Sequence, residues 1–210
     1  LDTYSSKSVL AFSKEGKFIN KTKFGKGPGE MTNPFALSIN RLDKEVLVWD
    51  QVLRTMFTYD SNLNLLSRKA YDLTPFSNFS LLNDGSLLTL SHYNMDYVYT
   101  IYSSDYKSVK GKFLKDIKHI STIDIPNPIT TRKRTLLIAP FDYNIYNLKN
   151  QDVQSELYFD FGKDKISKED IDKYGVPGVI AQIENGRKVS GLNHISESEN
   201  YILFNVIFYL

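Results

Sequence analysis

An all-β fold built from repeated antiparallel sheets is predicted by three observations in this 210-residue sequence. An aromatic residue followed by a turn and an apolar pair recurs at a nearly constant interval. Short runs of Val, Ile, Leu, Tyr and Phe are broken by turn sequences such as Asn83-Asp84-Gly85, as in the hairpins of antiparallel sheets. Two of these runs are almost continuously apolar, which is typical of strands that are buried on both faces.

The repeat is clearest where FSKEGKFINK, from Phe12, aligns with YDSNLNLLSR, from Tyr59. Each segment has an aromatic residue, a turn of small, polar or charged residues, two apolar residues and then a basic residue. Weaker copies begin at Tyr102 and Tyr146, so the four aromatic residues lie 47, 43 and 44 residues apart. A period of about 40 to 50 residues is typical of the four-stranded blades of a β-propeller. The spacing therefore predicts a propeller.

The strands within a repeat differ in their polarity. VLVW (46–49) and LLTL (87–90) are nearly continuous apolar runs, so we expect them to be inner or second strands of their sheets. KFINKTKF (17–24) and LLSRKAYDL (65–73) alternate more strongly between apolar and polar residues. This alternation predicts outer strands with one solvent-exposed face.

One short helix is predicted near 167–174, inserted between blades. Ser167 can accept a hydrogen bond from the backbone amide of Asp170, and acidic residues fill the first turn. Gly175 and Pro177 then predict the end of the helix. A further helical turn within 178–186 is an alternative that its β-branched residues disfavour.

The segment FGKGPGEM (24–31) raises the question of a phosphate-binding loop. Such a loop needs converging backbone N–H groups and usually a Gly-Lys-Ser/Thr sequence that opens a helix. Here Pro28 removes a donor and Glu30 would repel an anion, so a structural turn is the favoured interpretation. Three glycines would provide the backbone conformation of this turn: Gly25, Gly27 and Gly29. Pro28 would stiffen the turn, and Glu30 would close it by accepting hydrogen bonds from nearby backbone.

Composition and charge exclude several classes of site. The 26 basic and 24 acidic residues leave a net charge of +2 and are interspersed, so they give no long-range field to attract nucleic acid or anionic lipid. The absence of cysteine excludes disulfides, thiolate metal sites and a cysteine nucleophile. The three histidines are far apart and show no metal-ligand spacing. We therefore expect no metal site, no catalytic residue set and no cofactor.

Candidate binding residues lie in two predicted loops. His92 and Asp96, in SHYNMDY, form the nearest approach to a polar cluster, and Asn127 opens NPITT (127–131). Loops on a rigid scaffold often carry binding residues. The basic run at 132–134 is expected to be a solvated edge or a gatekeeper against aggregation. Several aspartates fit turn positions, where the side chain bonds to nearby backbone: Asp43, Asp50, Asp60, Asp84 and Asp160.

A blade that ends in hydrophobic-Gly-x-Gly-Pro-Gly-Glu and is followed by a Pro-hydrophobic strand resembles six-bladed β-propeller proteins with NHL-like repeats. FSKEGKFI (12–19) with its copy at 59–66, FDYNIYNL (141–148) and LYFDFGKDKISKEDI (157–171) are also similar to that family. The resemblance covers about Val9 to Leu210. It implies a six-bladed propeller in a bacterial protein that is secreted or lipid-anchored, at the periplasm or cell surface. The family's function is mostly uncharacterised.

The sequence is too short for the six blades that the resemblance implies. At about 44 residues per blade, a single propeller domain over 1–210 holds four to five blades. We therefore expect either that the ring is truncated at the C-terminus, after YILFNVIFYL (201–210), or that another chain completes its sheets.

Two functions from different classes are consistent with these features. The first is a non-catalytic extracytoplasmic propeller that binds a glycan, peptide or protein partner through loops on one face. Nucleic acid is not an expected partner, and membrane contact is expected only through a lipid anchor outside this chain. The alternative is a glycan- or peptide-degrading enzyme with its site at the central channel. An enzyme of this kind requires acids or histidines that converge there with perturbed pKa values.

Overall fold

The computed structural model describes residues 1–2, 7–40, 43–91, 96–115, 128–130, 134–198 and 201–206. The chain divides into two compact units, Leu1–Ser91 with Ile101–Lys110 and His92–Thr100 with Gly111–Leu210. Within the described ranges, the secondary structure consists of sixteen β-strands, one α-helix and one short 3-10 helix at Gly162–Asp164. The predicted all-β fold with one helix is therefore confirmed.

Three sheets have four strands each, and in every one of them the strands follow one another in chain order. The first sheet contains β3 (Pro34–Asn40), β4 (Glu45–Asp50), β5 (Thr55–Tyr59) and β6 (Leu65–Ala70). The second contains β7 (Phe76–Leu81), β8 (Leu87–Ser91), β9 (Tyr97–Tyr102) and β10 (Val109–Lys115). The third contains β11 (Ile129–Thr130), β12 (Thr135–Leu137), β13 (Asn144–Lys149) and β14 (Asp152–Tyr158).

Two further sheets have two strands each. β1 (Leu10–Phe12) pairs with β2 (Phe18–Lys21), and β15 (Leu192–Glu197) pairs with β16 (Ile202–Val206). Both pairs are antiparallel, as are the neighbouring strands of the first and third four-stranded sheets. The sheets are thus built from hairpins, as the turn sequences predict.

Three of the four repeat-marking aromatic residues occupy the same position in their hairpins. Phe12, Tyr59 and Tyr102 are the last residues of β1, β5 and β9, and each precedes a turn into the next strand. Tyr146 differs because it lies inside β13, which ends at Lys149. Here a two-residue turn closes the hairpin, and both of its residues, 150 and 151, have positive φ.

The two apolar runs lie in second strands of their sheets. VLVW lies in β4 and LLTL in β8, where all four of its residues are buried. The outer strand β6 differs from the expected alternation, since all six of its residues are exposed. An edge strand has a neighbour on one side only, so both of its faces can remain in contact with water.

The core of the first unit lies on both faces of the sheet β3–β6. Val48 and Phe57 pack with Met31 on one face, whereas Trp49 packs on the other against Phe76 of β7, with ring centroids 5.2 Å apart. Successive residues of β4 therefore belong to different clusters, as the period of a strand requires. Burial on both faces explains why the strand is apolar throughout.

The single helix, α1, spans Lys168–Glu184, and its start agrees with the sequence. The Ser167 hydroxyl accepts from the amide of Asp170 at 3.1 Å, and the Asp170 carboxylate accepts from the amide of Ser167 at 2.9 Å. These reciprocal bonds form a capping box. Lys188 adds a third contact, since its ammonium donates to the same carboxylate at 3.0 Å.

The helical conformation is interrupted at Gly175, where the sequence predicts the helix to end, and the further turn considered within 178–186 is part of a second helical segment. Gly175 has a φ of 65° and does break the helical conformation, but the chain then re-enters a helix that continues to Glu184. Pro177 lies in the first turn of this second segment, where its missing N–H costs little. Burial favours the second helical segment, because three of its apolar residues lie at helical spacing and pack with Phe141 and Ile166. These residues are Val176, Val179 and Ile183.

Replacing Asp170 with asparagine should remove acid-sensitive stability. The backbone N–H of Ser167 and the ammonium of Lys188 hold the Asp170 pKa below its ordinary value. The stability that these contacts give to the folded chain is therefore complete above the ordinary aspartate pKa of about 4. It is lost as the pH falls through the lowered pKa of Asp170. We expect Asp170→Asn to lower the free energy of unfolding by about 1 kcal/mol at pH 6.

Urea unfolding at pH 6 and at pH 2 measures this difference, which should shrink towards zero at the lower pH. Asp172→Asn is the matched control, because Asp172 is exposed on the same helix. If Asp170→Asn lowered the free energy of unfolding by the same amount at both pH values, the lowered pKa of Asp170 would be contradicted.

Candidate functional site

The structure places only one of the three predicted binding residues. Asp96 is exposed and lies directly before β9. His92 and Asn127 lie outside the described residues. In the predicted loop 127–131, Ile129 and Thr130 form the strand β11, so the prediction of a loop is wrong for these two residues. The grouping of these three side chains therefore stays a prediction.

The segment 24–31 forms a closed turn around the side chain of Glu30. The amide of Gly25 donates to the carbonyl oxygen of Met31 at 2.9 Å, and the amide of Met31 donates to that of Lys23 at 3.0 Å. Inside this frame the Glu30 carboxylate accepts from the amide of Gly27 at 2.8 Å. In a phosphate-binding loop the backbone amides point at the phosphate, whereas here the amide of Gly27 is bound by the Glu30 carboxylate of the same turn.

The Glu30 carboxylate lies where a Cβ atom would stand at two of the glycines. A Cβ atom on Gly25 would lie 2.1 Å from Glu30 Oε2, and one on Gly27 would lie 2.9 Å from the same oxygen. Gly25 also has a φ of 154°, a conformation that other residues rarely adopt. The turn motif is therefore one in which glutamate occupies the space that side chains at 25 and 27 would need.

A buried carboxylate fixes the chain that follows this turn. Asp50, at the end of β4, is 0% exposed. It accepts from the backbone amides of Thr32 at 2.6 Å, Asn33 at 2.8 Å and Leu53 at 2.8 Å. Because charge-assisted hydrogen bonds are strong, this carboxylate joins the loop after the glycine-rich turn to the first sheet. The sequence predicts a turn role for Asp50 but not its burial or its bonds to residues 17 and 18 positions earlier.

The other aspartates at turns also bind nearby backbone. Asp60 accepts from the amides of Asn62 at 2.8 Å and Asn64 at 2.9 Å, and hydrogen bonds from Asn64 lower its pKa. Asp142 accepts from the amide of Asn144 at 3.0 Å and from the Tyr146 hydroxyl at 2.5 Å. Both side chains therefore stabilise turns, which is a structural role for an acidic residue.

The basic run at 132–134 is only partly described. Arg134 donates from Nε to Glu197 at 2.6 Å and also pairs with Glu156. Its charge is therefore used within the chain, and the expectation of a solvated edge is wrong for this residue. Arg132 and Lys133 lie outside the described residues.

Burial raises the pKa of several tyrosines. The pKa of Tyr59 is raised to about 12 by desolvation, with a smaller effect from the Asp50 charge. Burial likewise raises the pKa of Tyr106 and of Tyr143 to about 12. The Tyr143 hydroxyl donates to the carbonyl of Val189 at 2.8 Å, whereas the Tyr59 hydroxyl has no hydrogen-bond partner in the described part of the chain.

These tyrosines predict a loss of stability at alkaline pH. An unfolded tyrosine ionises near pH 10, so the stability gained by keeping these residues neutral is complete below pH 10 and is lost as the pH rises towards 12. We expect the urea midpoint to fall over that interval, with tyrosinate absorbance at 295 nm appearing together with unfolding.

The matched variant is Tyr59→Phe, which removes a buried hydroxyl that has no partner within the described ranges. It should be as stable as the parent or slightly more stable at pH 7, because no hydrogen bond is lost. Its midpoint should also fall less above pH 10. An equal alkaline loss in parent and variant would contradict the raised pKa of Tyr59.

Within the ranges that the structure places, no three His, Cys, Asp or Glu side chains come close enough to hold a metal ion. In the same part of the chain, no helix has both the length and the apolar character that a membrane span requires.

Comparison with known proteins identifies a family. The family described as "Domain of unknown function (DUF4934)" matches residues 1–209. No protein with curated annotation matches the sequence.

Three solved structures resemble the chain. A Bacteroides fragilis protein assigned provisionally as exported is 17% identical with a TM-score of 0.80, over 96% of this chain and 60% of its own. A DUF4221 family member from Bacteroides vulgatus is 9% identical with a TM-score of 0.62, over 97% and 66%. BamB from Moraxella catarrhalis is 7% identical with a TM-score of 0.51, over 96% and 56%.

These neighbours have propeller-like folds, and at such low identity the likeness shows the fold alone. The chain therefore has a propeller-like fold of four-stranded antiparallel sheets. It spans 60% of the length of the Bacteroides fragilis structure. The number of blades and the NHL-like repeat type stay predictions.

Proposed function

The chain belongs to the DUF4934 family, and from that premise we propose that it is a non-catalytic, extracytoplasmic β-propeller that binds a glycan, peptide or protein partner. The proposal includes a six-bladed arrangement with NHL-like repeats. We place its binding surface at the segments 91–97 and 127–131, with Asp96 as one contact residue.

The use of the described carboxylates carries the non-catalytic part of this proposal. An acid–base catalyst needs a carboxyl group whose pKa lies near the working pH, usually raised by burial or by a second acid. Hydrogen bonds instead lower the pKa of Asp60 and Asp170, and Asp50 receives three backbone amides. These acids therefore support turns, a helix cap and a loop.

The extracytoplasmic location rests on the structural neighbour from Bacteroides fragilis. That protein is assigned provisionally as exported, and its fold is similar over 96% of this chain. The absence of cysteine is compatible with any compartment and does not contribute to the argument.

Affinity electrophoresis and product analysis on the same samples test the proposal. The purified protein is run through gels that contain starch, pectin or mucin glycans, and it is incubated in parallel with those polymers and with casein. The proposal expects retardation in at least one gel, with no release of reducing ends or free amines. Asp96→Ala should reduce the retardation, whereas Asp60→Ala, at an exposed turn, should not.

Product release that follows the protein through purification would contradict the non-catalytic assignment. Retardation that Asp96→Ala leaves unchanged would contradict the placement of the binding loops.

A further inference from the structure

An exposed tyrosine lies at the end of β14, the outer strand of the third sheet. Tyr158 is the last residue of that strand, pairs with Asn144 of β13 and is 54% exposed. An aromatic ring combines a large apolar contact area with specific stacking geometry, and tyrosine adds a polar hydroxyl at one end. The ring of Tyr158 presents these properties to solvent.

The ammonium of Lys165 lies at the hydroxyl end of this ring and leaves its faces open. Lys165 Nζ donates to the Tyr158 hydroxyl at 3.0 Å, and it lies 5.7 Å from the ring centroid. The second distance is close to the sum of the first and the separation between the hydroxyl oxygen and the ring centre. The ammonium therefore lies beyond the hydroxyl, near the plane of the ring, and covers neither face.

A carboxylate completes a polar edge beside the ring. Asp160 Oδ1 accepts from the amide of Gly162 at 3.0 Å and lies 3.5 Å from Lys165 Nζ. Both contacts use the same oxygen, so within the described residues Oδ2 keeps its capacity to accept. The Tyr158 hydroxyl accepts from Lys165 and still has a proton to donate, and the ammonium has a third N–H. One acceptor and two donors thus lie together at one end of the ring.

The backbone that carries this cluster is held on both sides. The amide of Phe159 donates to the carbonyl of Tyr143 at 2.9 Å, directly after the tyrosine. Lys188 Nζ donates to the carbonyls of Lys163 at 3.1 Å and Lys165 at 3.0 Å. The ring and its polar neighbours are therefore presented by a fixed support, so little order must be gained on binding.

We propose that Tyr158, Asp160 and Lys165 form a subsite for one neutral sugar ring of a glycan. The C–H groups on one face of a pyranose carry small positive charges and stack on the negative face of an aromatic ring. Each sugar hydroxyl can donate and accept, which matches the free oxygen of Asp160 and the remaining protons of Tyr158 and Lys165. The carboxylate and the ammonium offset each other, which favours a neutral sugar over a uronic acid or a sulfated one.

A protein partner fits this cluster less well. A stable protein interface buries roughly 800 Å² on each side and depends on several anchor residues near its centre. Among residues 154–163, the exposed side chains besides Tyr158 are polar or charged, except for Leu157. One ring with a polar edge has the size and chemistry for one sugar.

This inference rests on the glycan part of the proposed function and adds a subsite to it. The proposed segment 127–131 contains β11, which lies at the opposite edge of the third sheet from β14. Separate substitutions therefore test the two locations.

Saturation-transfer NMR on the whole chain tests the inference, with maltohexaose, cellohexaose and mannohexaose as neutral probes and oligogalacturonate as the acidic probe. The titrations are made in the Asp96→Ala background, so that binding at the proposed segments does not mask the subsite. We expect signals from at least one neutral probe, strongest at the C–H groups of one ring face. Tyr158→Ala should weaken binding at least about tenfold, because the stacking surface is lost. Tyr158→Phe keeps the ring and should weaken binding only about threefold.

Tyr174→Ala is the matched control. Tyr174 is 45% exposed on α1 and also lies beside a lysine, Lys173, whose Nζ is 4.7 Å from the ring centroid. This variant should bind as its parent does, and urea midpoints should show that all variants are folded.

Three results would overturn the inference. They are binding of a neutral probe that Tyr158→Ala leaves unchanged, binding of oligogalacturonate alone, and binding of none of these oligosaccharides. The proposed function would survive each of them if the parent chain is retarded in the gels and Asp96→Ala is not, so the two failures are distinguishable.

Discussion

Replacing Asp50 with alanine is expected to lower the free energy of unfolding by about 4 kcal/mol. The carboxylate is fully buried and accepts from three backbone amides, which would lose their partner. Unpaired donors in a buried position cost roughly 1 to 3 kcal/mol each, and entering water recovers part of that cost. Urea unfolding followed by tryptophan fluorescence measures the effect, because Trp49 is adjacent in the chain.

Asp60→Ala is the matched control for this prediction. Asp60 also accepts from two backbone amides, but at an exposed turn where water can replace the lost acceptor. Its stability loss should be much smaller. If the two substitutions had equal effects, the burial of Asp50 would not be the source of its contribution.

Gly25→Ala is expected to destabilise the chain by about 3 kcal/mol. The new Cβ would lie 2.1 Å from Glu30 Oε2, so the carboxylate would have to leave the amide of Gly27. The φ of 154° adds backbone strain that persists after the side chain has moved. The shift in the urea midpoint reports both effects.

Two comparisons separate the clash from the backbone strain. Gly16→Ala has a φ of 78° with no atom within 4 Å of its Cβ, so it should cost only about 1 kcal/mol. Glu30→Ala in the Gly25→Ala background should cost less than the sum of the two single changes, because the clashing carboxylate is already gone. Additive losses would show that Glu30 does not occupy the predicted space.

Much of the fold follows from local patterns in the sequence. Phe12, Tyr59 and Tyr102 end strands because an aromatic residue followed by a polar turn is a local feature of a hairpin. Tyr146 is out of phase because its hairpin closes with Asn150-Gln151, which lacks the glycine that usually marks a two-residue turn. Pattern spacing alone does not reveal that difference.

The helix shows where tertiary packing overrides a local signal. Gly175 and Pro177 normally end a helix, and Gly175 does leave the helical conformation. The chain nevertheless continues to Glu184, because Val179 and Ile183 are buried against residues that are distant in sequence. Those contacts cannot be inferred from the propensities of 176–184.

The site features divide in the same way. The role of Glu30 is local, so its distance of three residues from Gly27 is sufficient to suggest the hydrogen bond. The burial of Asp50 depends on contact with a loop that contains Asn33, 17 residues earlier in the chain. No short sequence motif reveals a contact of that separation.

A crystal structure of the protein tests the central proposal most directly. We expect six four-stranded sheets around one axis, with the carboxylates near that axis bound to turns and backbone amides. A different number of blades would contradict the six-bladed assignment. Two or more acids converging within hydrogen-bond distance at the axis would contradict the non-catalytic assignment and would favour an enzyme.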